Sequence, residues 1–451
     1  MSLTKGYSMS FKNLGLSNEL LITIQKEGYS EATPVQERAI PLINKGMDIL
    51  AGAQTGTGKT AAFALPILNR LQQSDSMKRT VRALILTPTR ELAAQVNNSF
   101  RTYGIALPFK TIEIFGGVSM RPQKSKLKKG VDIVVATPGR LLDHLSQNTI
   151  DLSGVEVFVL DEADRMLDMG FKRDIEKVIK QLPKRRQNLL FSATFPKEIQ
   201  RLASKLLNSP KKIQVASENS TAENVKQTVY PVDQSRKREL LIHSIKKNNW
   251  FQVLVFIKTK RAADKLTRQL NKKHILSDTI HGNKTQAART KALENFKKGK
   301  VQVLVATDVA ARGIDIDLLP VVINFNLPMV AEDYIHRIGR TARAGKEGEA
   351  ISLVCADEFN LLSDIERLLK FRIPRVDVEG FETTQHLNTT NLKQKNNQHK
   401  KSNYQGSKKR KKSDNKKPHW HKKRKSSKKK RDDKTFKKRR GPKKSKRSFN
   451  K

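Results

Sequence analysis

Residues 48–71 read DILAGAQTGTGKTAAFALPILNRL: a short apolar strand, a glycine-containing loop and an apolar helix follow one another without a break. Gly56 and Gly58 let backbone N–H groups approach phosphate oxygens at the start of the helix. Lys59 would meet the outer phosphates, and Thr60 would offer a hydroxyl to Mg²⁺. The stretch therefore predicts a strand, a phosphate-binding loop and a helix of a parallel α/β domain.

The loop satisfies the pattern GxxxxGK[ST] at every fixed position except the first, where this chain has Ala53. Taken alone, such a loop can also be an ordinary strand-to-helix turn. The residues that we expect around a bound triphosphate are Ala53, Gln54, Thr55, Gly56, Thr57, Gly58, Lys59 and Thr60.

Short β-branched runs and longer helical patterns alternate up to residue 375, which is typical of parallel α/β construction. The first group of candidate strands reads DILAG, ALILTP, TIEIFGG, DIVVATP, VFVLDE and NLLFSAT, and the second reads KQTVYPV, QVLVFI, VQVLVATD, VVINFNLP and AISLVCA. Residues 215–225 between the groups are polar and lack apolar periodicity, as in a linker. The sequence therefore predicts an α/β protein with two similar tandem domains, residues 1–214 and 226–375.

Charge is distributed unevenly along the chain. The net charge is +46, and residues 391–451 alone contribute +26, from 29 Lys and Arg against three Asp. The other 390 residues carry the remaining +20, so a polyanion is the expected partner of both parts. The apolar pattern fades after Phe371, and we expect residues 376–451 to be a disordered, Lys/Arg-rich tail. Such a tail could tether RNA, or it could simply aid solubility.

Cysteine content and hydropathy limit the setting in which the protein works. Cys355 is the single cysteine, which excludes an internal disulfide and suits a reducing compartment. The sequence contains no run of roughly 18 apolar residues of the kind that spans a bilayer. We therefore expect a cytoplasmic protein that has no membrane partner.

A second cluster of candidate site residues follows the strand VFVL. Asp161, Glu162 and Asp164 come directly after it, and open α/β sheets bind ligands outside the carboxyl ends of their strands. Asp161 would hold Mg²⁺, partly through water, and Glu162 would orient or deprotonate the water that attacks the γ-phosphate. A solvated acidic loop is the alternative for three such carboxylates taken alone.

With these motifs in order, residues 11–375 resemble the DEAD-box ATP-dependent RNA helicases of superfamily 2, whose name is spelled by residues 161–164. The resemblance implies two tandem RecA-like domains with parallel sheets, and ATP and Mg²⁺ as ligands. In GYSEATPVQ, which resembles the family's Q motif, Gln36 would read the adenine edge and Phe11 would stack on the base. Asp315 would lie near the ribose.

The resemblance also implies an RNA-binding surface that runs across both domains. Six segments resemble the family motifs that contact RNA or couple RNA binding to ATP: PTREL, the glycine pair Gly116–Gly117, TPGR, VFIKTK, QAAR and ATDVAARGID. The candidate RNA contacts are Pro88, Thr89, Arg90, Gly116, Gly117, Thr137, Pro138, Gly139, Arg140, Thr259, Arg289 and Thr307. The residues expected to couple hydrolysis to strand separation are Asp164, Ser192, Ala193, Thr194 and His336.

The second domain has no phosphate loop but carries Arg337, Arg340 and Arg343 in HRIGRTARAG. Guanidinium groups suit phosphate oxygens, and the resemblance implies that Arg340 and Arg343 act as arginine fingers across a cleft. His336 would contact the DEAD segment; taken alone, it could equally be a structural histidine. Ala342 replaces the glycine that is more common in the family at this position.

We therefore expect an RNA-stimulated ATPase that separates short duplexes or remodels RNA–protein particles, without reading sequence. SLVCADE, at 352 to 358, and the basic extension are similar to the bacterial RhlE-type branch. An ATP-gated RNA clamp and a DNA-directed translocase are the alternatives. Expected partners are duplex and single-stranded RNA, with ribosomal particles or RNA-decay complexes as settings, and the expected state is a monomer.

Overall fold

The computed structural model describes residues 10–53, 56–73, 80–214, 225–311, 316, 319–341 and 348–384, and all of them belong to one compact unit. Some of the predictions lie outside the described residues: those for Gln54, Thr55, Asp315, Ala342 and Arg343, nearly all of the linker, and the basic tail from residue 391. The remaining predicted site residues fall inside these ranges.

Residues 10–214, which we call lobe 1, form a parallel sheet with helices on both faces. Its strands are β1 (Ile49–Gly52), β2 (Ala83–Leu86), β3 (Thr111–Ile114), β4 (Ile133–Ala136), β5 (Val157–Leu160), β6 (Gln187–Ser192) and β7 (Lys211–Gln214). They pair in parallel in the order β3-β4-β2-β5-β6-β1-β7. The α-helices are α1 (Asn18–Lys26), α2 (Pro34–Asn44), α3 (Lys59–Gln72), α4 (Arg90–Tyr103), α5 (Met120–Lys128), α6 (Pro138–Ser146), α7 (Ala163–Asp168), α8 (Lys172–Ile179) and α9 (Lys197–Leu206).

Residues 225–384, which we call lobe 2, repeat this architecture. The strands are β8 (Lys226–Pro231), β9 (Val253–Phe256), β10 (Ser277–Ile280), β11 (Val303–Ala306), β12 (Val321–Asn324) and β13 (Glu349–Val354), all parallel in the order β10-β11-β9-β12-β13-β8. The α-helices are α10 (Lys237–Lys247), α11 (Lys260–Lys272), α12 (Gln286–Lys297), α13 (Asp308–Ala311), α14 (Ala331–Ile338) and α15 (Phe359–Leu369). Two 3₁₀ turns complete the elements, Phe11–Leu14 in lobe 1 and Ala356–Glu358 in lobe 2.

Burial explains why the central strands are recognisable as apolar runs. Each of β2, β4 and β5 is buried at every position, because helices cover both faces of the sheet. Phe63, Phe100 and Phe191 pack together on one face of the lobe 1 sheet, and the cluster on its other face includes Phe158 and Met166. The prediction of two parallel α/β domains is confirmed.

The structure adds elements that the sequence analysis did not predict. Strands β7 and β10 each close one edge of a sheet, and both are largely polar. Residues 376–384 also pack on lobe 2: the guanidinium of Arg236 lies 4.7 Å from the ring centre of Phe381, and the Thr384 N–H donates to the Asp233 carboxylate at 3.1 Å. Residues 376–384 thus contact lobe 2, although they belong to the tail that was predicted to begin at residue 376.

None of the helices in the described ranges has the length and hydropathy needed to cross a bilayer.

Candidate active site

The phosphate loop lies between β1 and α3, as its sequence predicts. Gly56 and Gly58 have φ angles of 79° and 89°, a left-handed region that favours glycine. A Cβ on Gly58 would lie 2.4 Å from Nε2 of Gln36, so a side chain there would displace the Gln36 amide. The loop thus brings its backbone to the N-terminus of α3, where the first turn of N–H groups is available to an anion.

Lys59 fits a phosphate ligand in its charge and in its surroundings. Its side chain is 6% exposed, and its buried Nζ has no hydrogen-bond partner among the described residues. Burying an ammonium without a partner is costly, and phosphate oxygens placed at this point would satisfy it. The loop and this lysine therefore fit a nucleotide triphosphate.

Gln36 contacts the phosphate loop directly. Its Oε1 accepts a hydrogen bond from the Thr33 N–H at 2.9 Å, and its Nε2 donates to the Gly58 carbonyl at 3.1 Å. A side-chain amide has two N–H donors and two lone pairs on its oxygen, so one of each remains for a base. Recognition of adenine by Gln36 stays a prediction, compatible with this geometry.

Aromatic rings connect Phe11 to the end of α4. The ring of Phe11 meets Tyr29 edge to face at 6.4 Å, and Tyr29 meets Tyr103 at 6.2 Å with their hydroxyls 3.2 Å apart. Burial raises the pKa of Tyr103, and the neighbouring Tyr29 adds to the rise, so the Tyr103 hydroxyl stays protonated. The sequence analysis missed these two tyrosines, although Tyr29 is part of GYSEATPVQ.

Asp161 follows β5 and faces the phosphate loop. Its Oδ1 accepts from the N–H of Glu162 at 3.0 Å. Burial raises the pKa of Asp161 to about 6; the Lys59 ammonium lowers it and the Glu162 carboxylate raises it. The two predicted ligand groups, Lys59 and Asp161, are therefore close enough to interact. A buried carboxylate beside a phosphate site fits Mg²⁺, which prefers one or two carboxylates together with phosphate oxygens and water.

Glu162 adopts an unusual backbone conformation. Its φ and ψ are both 52°, a left-handed conformation that costs a non-glycine residue on the order of 1 kcal/mol or more. Strand β5 ends at Leu160, so this turn removes Glu162 from the alternation of the strand and lets it lie beside Asp161. Its carboxylate lies 3.8 Å from Nε of Arg165, and both side chains are buried. The sequence analysis did not predict Arg165.

Asp164 joins the DEAD segment to the SAT segment at the end of β6. Its Oδ2 accepts from the N–H of Ala193 at 3.1 Å, the N–H of Thr194 at 2.9 Å and Oγ1 of Thr194 at 3.0 Å. Ser192 Oγ accepts from the Asp164 N–H at 3.3 Å and donates to the Thr194 carbonyl at 2.8 Å. A displacement of either segment would thus be transmitted to the other.

The candidate RNA contacts of lobe 1 gather on one edge of its sheet. They follow β2, β3 and β4, which are neighbours, so their carboxyl ends lie side by side. Arg90 lies over the Gly117 backbone, because a Cβ on that glycine would be 2.0 Å from Nη1 of Arg90. Arg140 donates to the Val118 carbonyl at 3.1 Å. PTREL, which contains Arg90, and TPGR, which contains Arg140, therefore meet at the glycine pair.

Threonines cap the helices that start from this edge in both lobes. Thr89 Oγ1 accepts from the Leu92 N–H at 3.3 Å at the start of α4, and Thr259 Oγ1 accepts from the Ala262 N–H at 3.2 Å at the start of α11. Thr137, Pro138 and Gly139 open α6, and Thr307 opens α13. The side-chain caps of Thr89 and Thr259 fix helix N-termini where a backbone phosphate could bind, whereas Thr137 makes no capping hydrogen bond.

Arg289 has a different environment from that of a solvent-facing RNA contact. Only 8% of it is exposed, and its Nη2 lies 3.0 Å from the carboxylate of Glu91 in lobe 1. Gln286 Nε2 donates to the same carboxylate at 2.8 Å. These contacts form an inter-lobe clasp that the sequence analysis missed, although Glu91 is the acidic residue of PTREL.

Arg337, the first arginine of HRIGRTARAG, is fixed by lobe 2 itself. It forms a bidentate pair with Asp308, at 2.5 Å from Nε and 2.7 Å from Nη2, and its Nη1 donates to the Asn326 carbonyl at 2.7 Å. Its guanidinium carbon also lies 4.9 Å from the ring centre of Phe256. With these contacts made inside its own lobe, Arg337 has a structural role.

Arg340 lies at the boundary between the lobes. It is buried, and together with His336 it lines a cavity of about 10 Å³ that Arg165 of lobe 1 also lines. Arg165 is the partner of Glu162, so the predicted finger Arg340 lies near the Glu162–Arg165 pair across the lobe boundary. His336 lines the same cavity, and its contact with the DEAD segment stays a prediction.

Comparison with known proteins agrees with this geometry. The model for DEAD/DEAH box helicases matches residues 33–202, and the helicase conserved C-terminal domain matches residues 236–345. The DEAD-box ATP-dependent RNA helicase CshA of Bacillus cereus is 43% identical over 368 residues, which cover 82% of this chain and 70% of that protein. RhpA of Helicobacter pylori, of the same description, is 42% identical over 84% of this chain and 76% of its own length.

Two solved structures show the same fold in complexes. Dbp5 of S. cerevisiae bound to RNA and ADP BeF3 matches with a TM-score of 0.73 and 31% identity, over 82% of this chain and 96% of that one. Mss116p bound to ssRNA and AMP-PNP matches with a TM-score of 0.75 and 31% identity, over 84% of this chain and 81% of that one. Since the phosphate loop, the DEAD and SAT segments and the lobe 2 arginine are arranged as described above, this chain belongs to the DEAD/DEAH box helicase family.

Proposed function

We propose that this protein is an ATP-dependent RNA helicase, in which RNA-stimulated ATP hydrolysis is coupled to local duplex separation or to remodelling of RNA–protein particles. The observation that carries the proposal is the division of the site between lobes. The phosphate loop and carboxylates lie in lobe 1, and Arg340 approaches the Glu162–Arg165 pair from lobe 2. Neither lobe holds a complete site by itself.

ATP binds with its phosphates at the N-terminus of α3. Residues 53–60 surround the phosphates, and Lys59, whose ammonium is otherwise unpaired, meets the outer ones. Gln36 reads the adenine edge with the remaining donor and acceptor of its amide, and Phe11 stacks on the base. By its resemblance to the family, Asp315 is also assigned to the ribose.

Hydrolysis depends on Glu162, which accepts or orients the proton of the attacking water. Arg340 and Arg343 stabilise the charge that develops on the γ-phosphate. Thr60 and Asp161 would hold Mg²⁺, Asp161 partly through water, and a metal held there would supply positive charge beside the phosphates. The left-handed backbone at Glu162 keeps its carboxylate beside Asp161 instead of on the opposite face of the strand.

RNA binds to the sheet edge that carries the glycine pair, PTREL and TPGR, and continues onto Thr259 and Thr307 of lobe 2. Contacts to phosphates and 2′-OH groups give preference for RNA over DNA with little sequence reading. The clasp between Glu91 and Arg289 forms only while the lobes are together, so it favours the state that binds both ligands. Arg289 then contacts RNA while it remains paired with Glu91.

Asp164, Ser192, Ala193 and Thr194 transmit the hydrolysis step to the RNA surface, and His336 contributes from lobe 2. The protein acts as a monomer in the cytoplasm, on RNA of the kind found in ribosomal particles and RNA-decay complexes. The basic tail adds affinity for RNA without choosing a sequence.

Multiple-turnover unwinding of a short RNA duplex tests this function. We expect ATP-dependent strand separation, and ATP hydrolysis that RNA stimulates more than DNA of the same sequence. Tight ATP-dependent RNA binding with almost no turnover would instead identify a clamp that serves as an assembly platform. Equal or greater stimulation by DNA would identify a DNA-directed translocase.

A further inference from the structure

Three loops of lobe 2 lie on the side of its sheet away from the nucleotide site. Residues 246–252, 272–276 and 297–302 precede β9, β10 and β11, which are neighbours in the order β10-β11-β9. The three loops therefore lie side by side at the amino ends of these strands. Each strand has four residues, so about 13 Å separates the loops from the edge that carries Thr259 and Thr307.

Hydrogen bonds between the loops make this a built surface. The Gln302 N–H donates to the Leu276 carbonyl at 2.9 Å, and Nε2 of Gln302 donates to the Trp250 carbonyl at 2.7 Å. Nε2 of Gln252 donates to the Phe296 carbonyl at 3.3 Å. Each loop is therefore bonded to a neighbouring one, and we call the three segments together the lysine pole.

The lysine pole is entirely cationic and open to solvent. Its exposed lysines are Lys246, Lys247, Lys272, Lys273, Lys297, Lys298 and Lys300. The three segments contain no Asp or Glu, and the nearest acids along the chain, Asp278 and Glu294, belong to β10 and α12. Within the described ranges, none of these lysines other than Lys297 has a carboxylate at ion-pair distance. So much unpaired charge on one surface favours a polyanion.

Apolar side chains lie among these lysines at the surface. Phe251 is 52% exposed and Leu276 is 63% exposed. The Phe251 ring lies along the Gly299 backbone, since a Cβ on that glycine would be 3.4 Å from the ring. A half-exposed ring held by the backbone and surrounded by lysines is the combination with which proteins bind single strands, by stacking bases and neutralising phosphates.

The same side of lobe 1 shows that parallel α/β construction does not require such a surface. Lysines at helix C-termini complement the helix dipole, which accounts for some of them in both lobes. In lobe 1, however, the residues before β2, β4 and β5 include Arg82, Asp132 and Glu156. Arg82 pairs with Glu156 at 2.6 Å, and the Asp132 carboxylate accepts from the Lys110 N–H at 2.8 Å. Acids therefore lie among the cations on this side of lobe 1, where Lys128, Lys129 and Lys180 are also exposed, whereas the three lobe 2 segments contain no acid.

We infer that the lysine pole is a second binding surface for single-stranded RNA, separate from the surface at the nucleotide cleft. An anionic membrane or an acidic protein would also attract lysines, but a half-exposed aromatic ring that packs beside the Gly299 backbone offers a surface on which a base can stack. The RNA is a segment that flanks the one in the cleft, so its binding is effectively intramolecular. The inference adds a site to the proposed helicase and does not depend on duplex separation.

Charge removal in the full chain tests the pole. The variant Lys272→Gln/Lys273→Gln/Lys298→Gln/Lys300→Gln is compared with a control of equal charge loss, Lys177→Gln/Lys180→Gln/Lys211→Gln/Lys212→Gln, whose four lysines are exposed in lobe 1. Single-strand sites cover roughly 4–16 nucleotides, so an RNA of about 10 nucleotides fills one surface and one of about 40 reaches both.

We expect the pole variant to bind the long RNA on the order of tenfold more weakly, with its log–log salt slope reduced by about 0.7 for each phosphate that is no longer neutralised. Affinity for the short RNA and ATPase activity with it should stay unchanged, as should every property of the control variant. Equal weakening in both variants, or unchanged affinity in both, would overturn the inference.

Photocrosslinking locates the RNA independently of the tail. With the long RNA carrying 4-thiouridine, we expect crosslinked peptides from residues 246–252 or 272–276, and fewer of them in Phe251→Leu, which keeps apolar area but removes the ring. If a chain that unwinds duplexes gives no such peptides, the inference of RNA binding at the lysine pole is wrong, while the proposed helicase function still holds. If the wild-type chain gives none of these crosslinks but floats with anionic phosphatidylglycerol vesicles, and the pole variant does not float, the pole is a membrane-binding surface instead.

Discussion

Lobe 1 and lobe 2 share one architecture and divide the chemistry between them. Both are parallel sheets whose helices start at the carboxyl ends of the strands. Lobe 1 has the phosphate loop and the carboxylates there, and lobe 2 has threonine caps and Arg340. Because neither half holds both acids and the opposing guanidinium, ATP can act as a ligand that couples the lobes. The predictions that follow test this division, from the largest expected effect to the smallest.

Arg340→Ala should have the largest effect on turnover. An arginine supplied across a cleft contributes on the order of 10³ to 10⁵ in rate, because it meets charge that appears only in the transition state. We expect ATP hydrolysis to fall by that range while the thermal midpoint and ATP affinity change little. Single-turnover hydrolysis in the presence of RNA measures the effect. A decrease of less than tenfold would show that lobe 2 does not complete the site.

Glu162→Gln should come next, with a decrease on the order of 10² to 10⁴ in turnover. Glutamine keeps the size of the side chain but cannot accept the proton of the attacking water. ATP and RNA binding should persist, because Lys59 and Asp161 are unchanged. Glu176→Gln, an exposed change on α8, provides the control for removal of one negative charge. Undiminished hydrolysis in Glu162→Gln would refute the role of this carboxylate.

Arg337→Ala should act on stability, in contrast to Arg340→Ala three residues later. Removing a buried guanidinium that pairs with Asp308 and stacks on Phe256 costs on the order of 3 kcal/mol. Urea unfolding, followed for the transition that reports lobe 2, measures this change. Arg367→Ala breaks an exposed pair with Asp364 and should cost less than about 1 kcal/mol. Equal stability of Arg337→Ala and wild type would show that the pair with Asp308 is unimportant.

Glu91→Gln should have the smallest effect, and should act on coupling between the ligands. The change weakens the pair with Arg289, so the closed state becomes less stable relative to the open one. Coupling energies of this kind are about 1–3 kcal/mol, equivalent to a roughly 5- to 150-fold effect of RNA on ATP affinity, and we expect part of that to disappear. ATP affinity with and without RNA measures the coupling. Glu156→Gln breaks an ion pair within lobe 1 and should leave the coupling unchanged. If Glu156→Gln lowers the coupling energy as much as Glu91→Gln does, the effect does not come from the contact between the lobes.

The fold was largely predictable from sequence because its central strands are buried on both faces. Such strands are uninterrupted apolar runs, like VFVL at β5 and VLVF at β9, and their order along the chain predicts parallel pairing. Strands β7 and β10 were missed because KKIQ and SDTI are mostly polar and resemble loops, whereas TIEI and KQTVYP, in the edge strands β3 and β8, contain more apolar residues and were predicted. Polar edges also protect a sheet from pairing with other chains.

The candidate site was predictable where consecutive residues carry its chemistry. The phosphate loop and the DEAD segment are continuous in sequence, so their positions follow from local patterns. The roles of Arg165, Glu91 and Arg337 could not be predicted in the same way, because they depend on contacts between residues that are distant in sequence. An arginine that anchors its own lobe and one that approaches the other lobe look alike in HRIGRTARAG, and their partners decide between them.

A crystal structure of the protein with single-stranded RNA and a non-hydrolysable ATP analogue would test the central claim most directly. The quantity to measure is the distance between the Arg340 guanidinium and the γ-phosphate oxygens held by the lobe 1 loop. We predict hydrogen-bond distance, about 2.7–2.9 Å as in other charge-assisted pairs, with Glu162 facing the same phosphate. Arg340 pointing into solvent, in a preparation whose ATPase is fully stimulated by RNA, would contradict it.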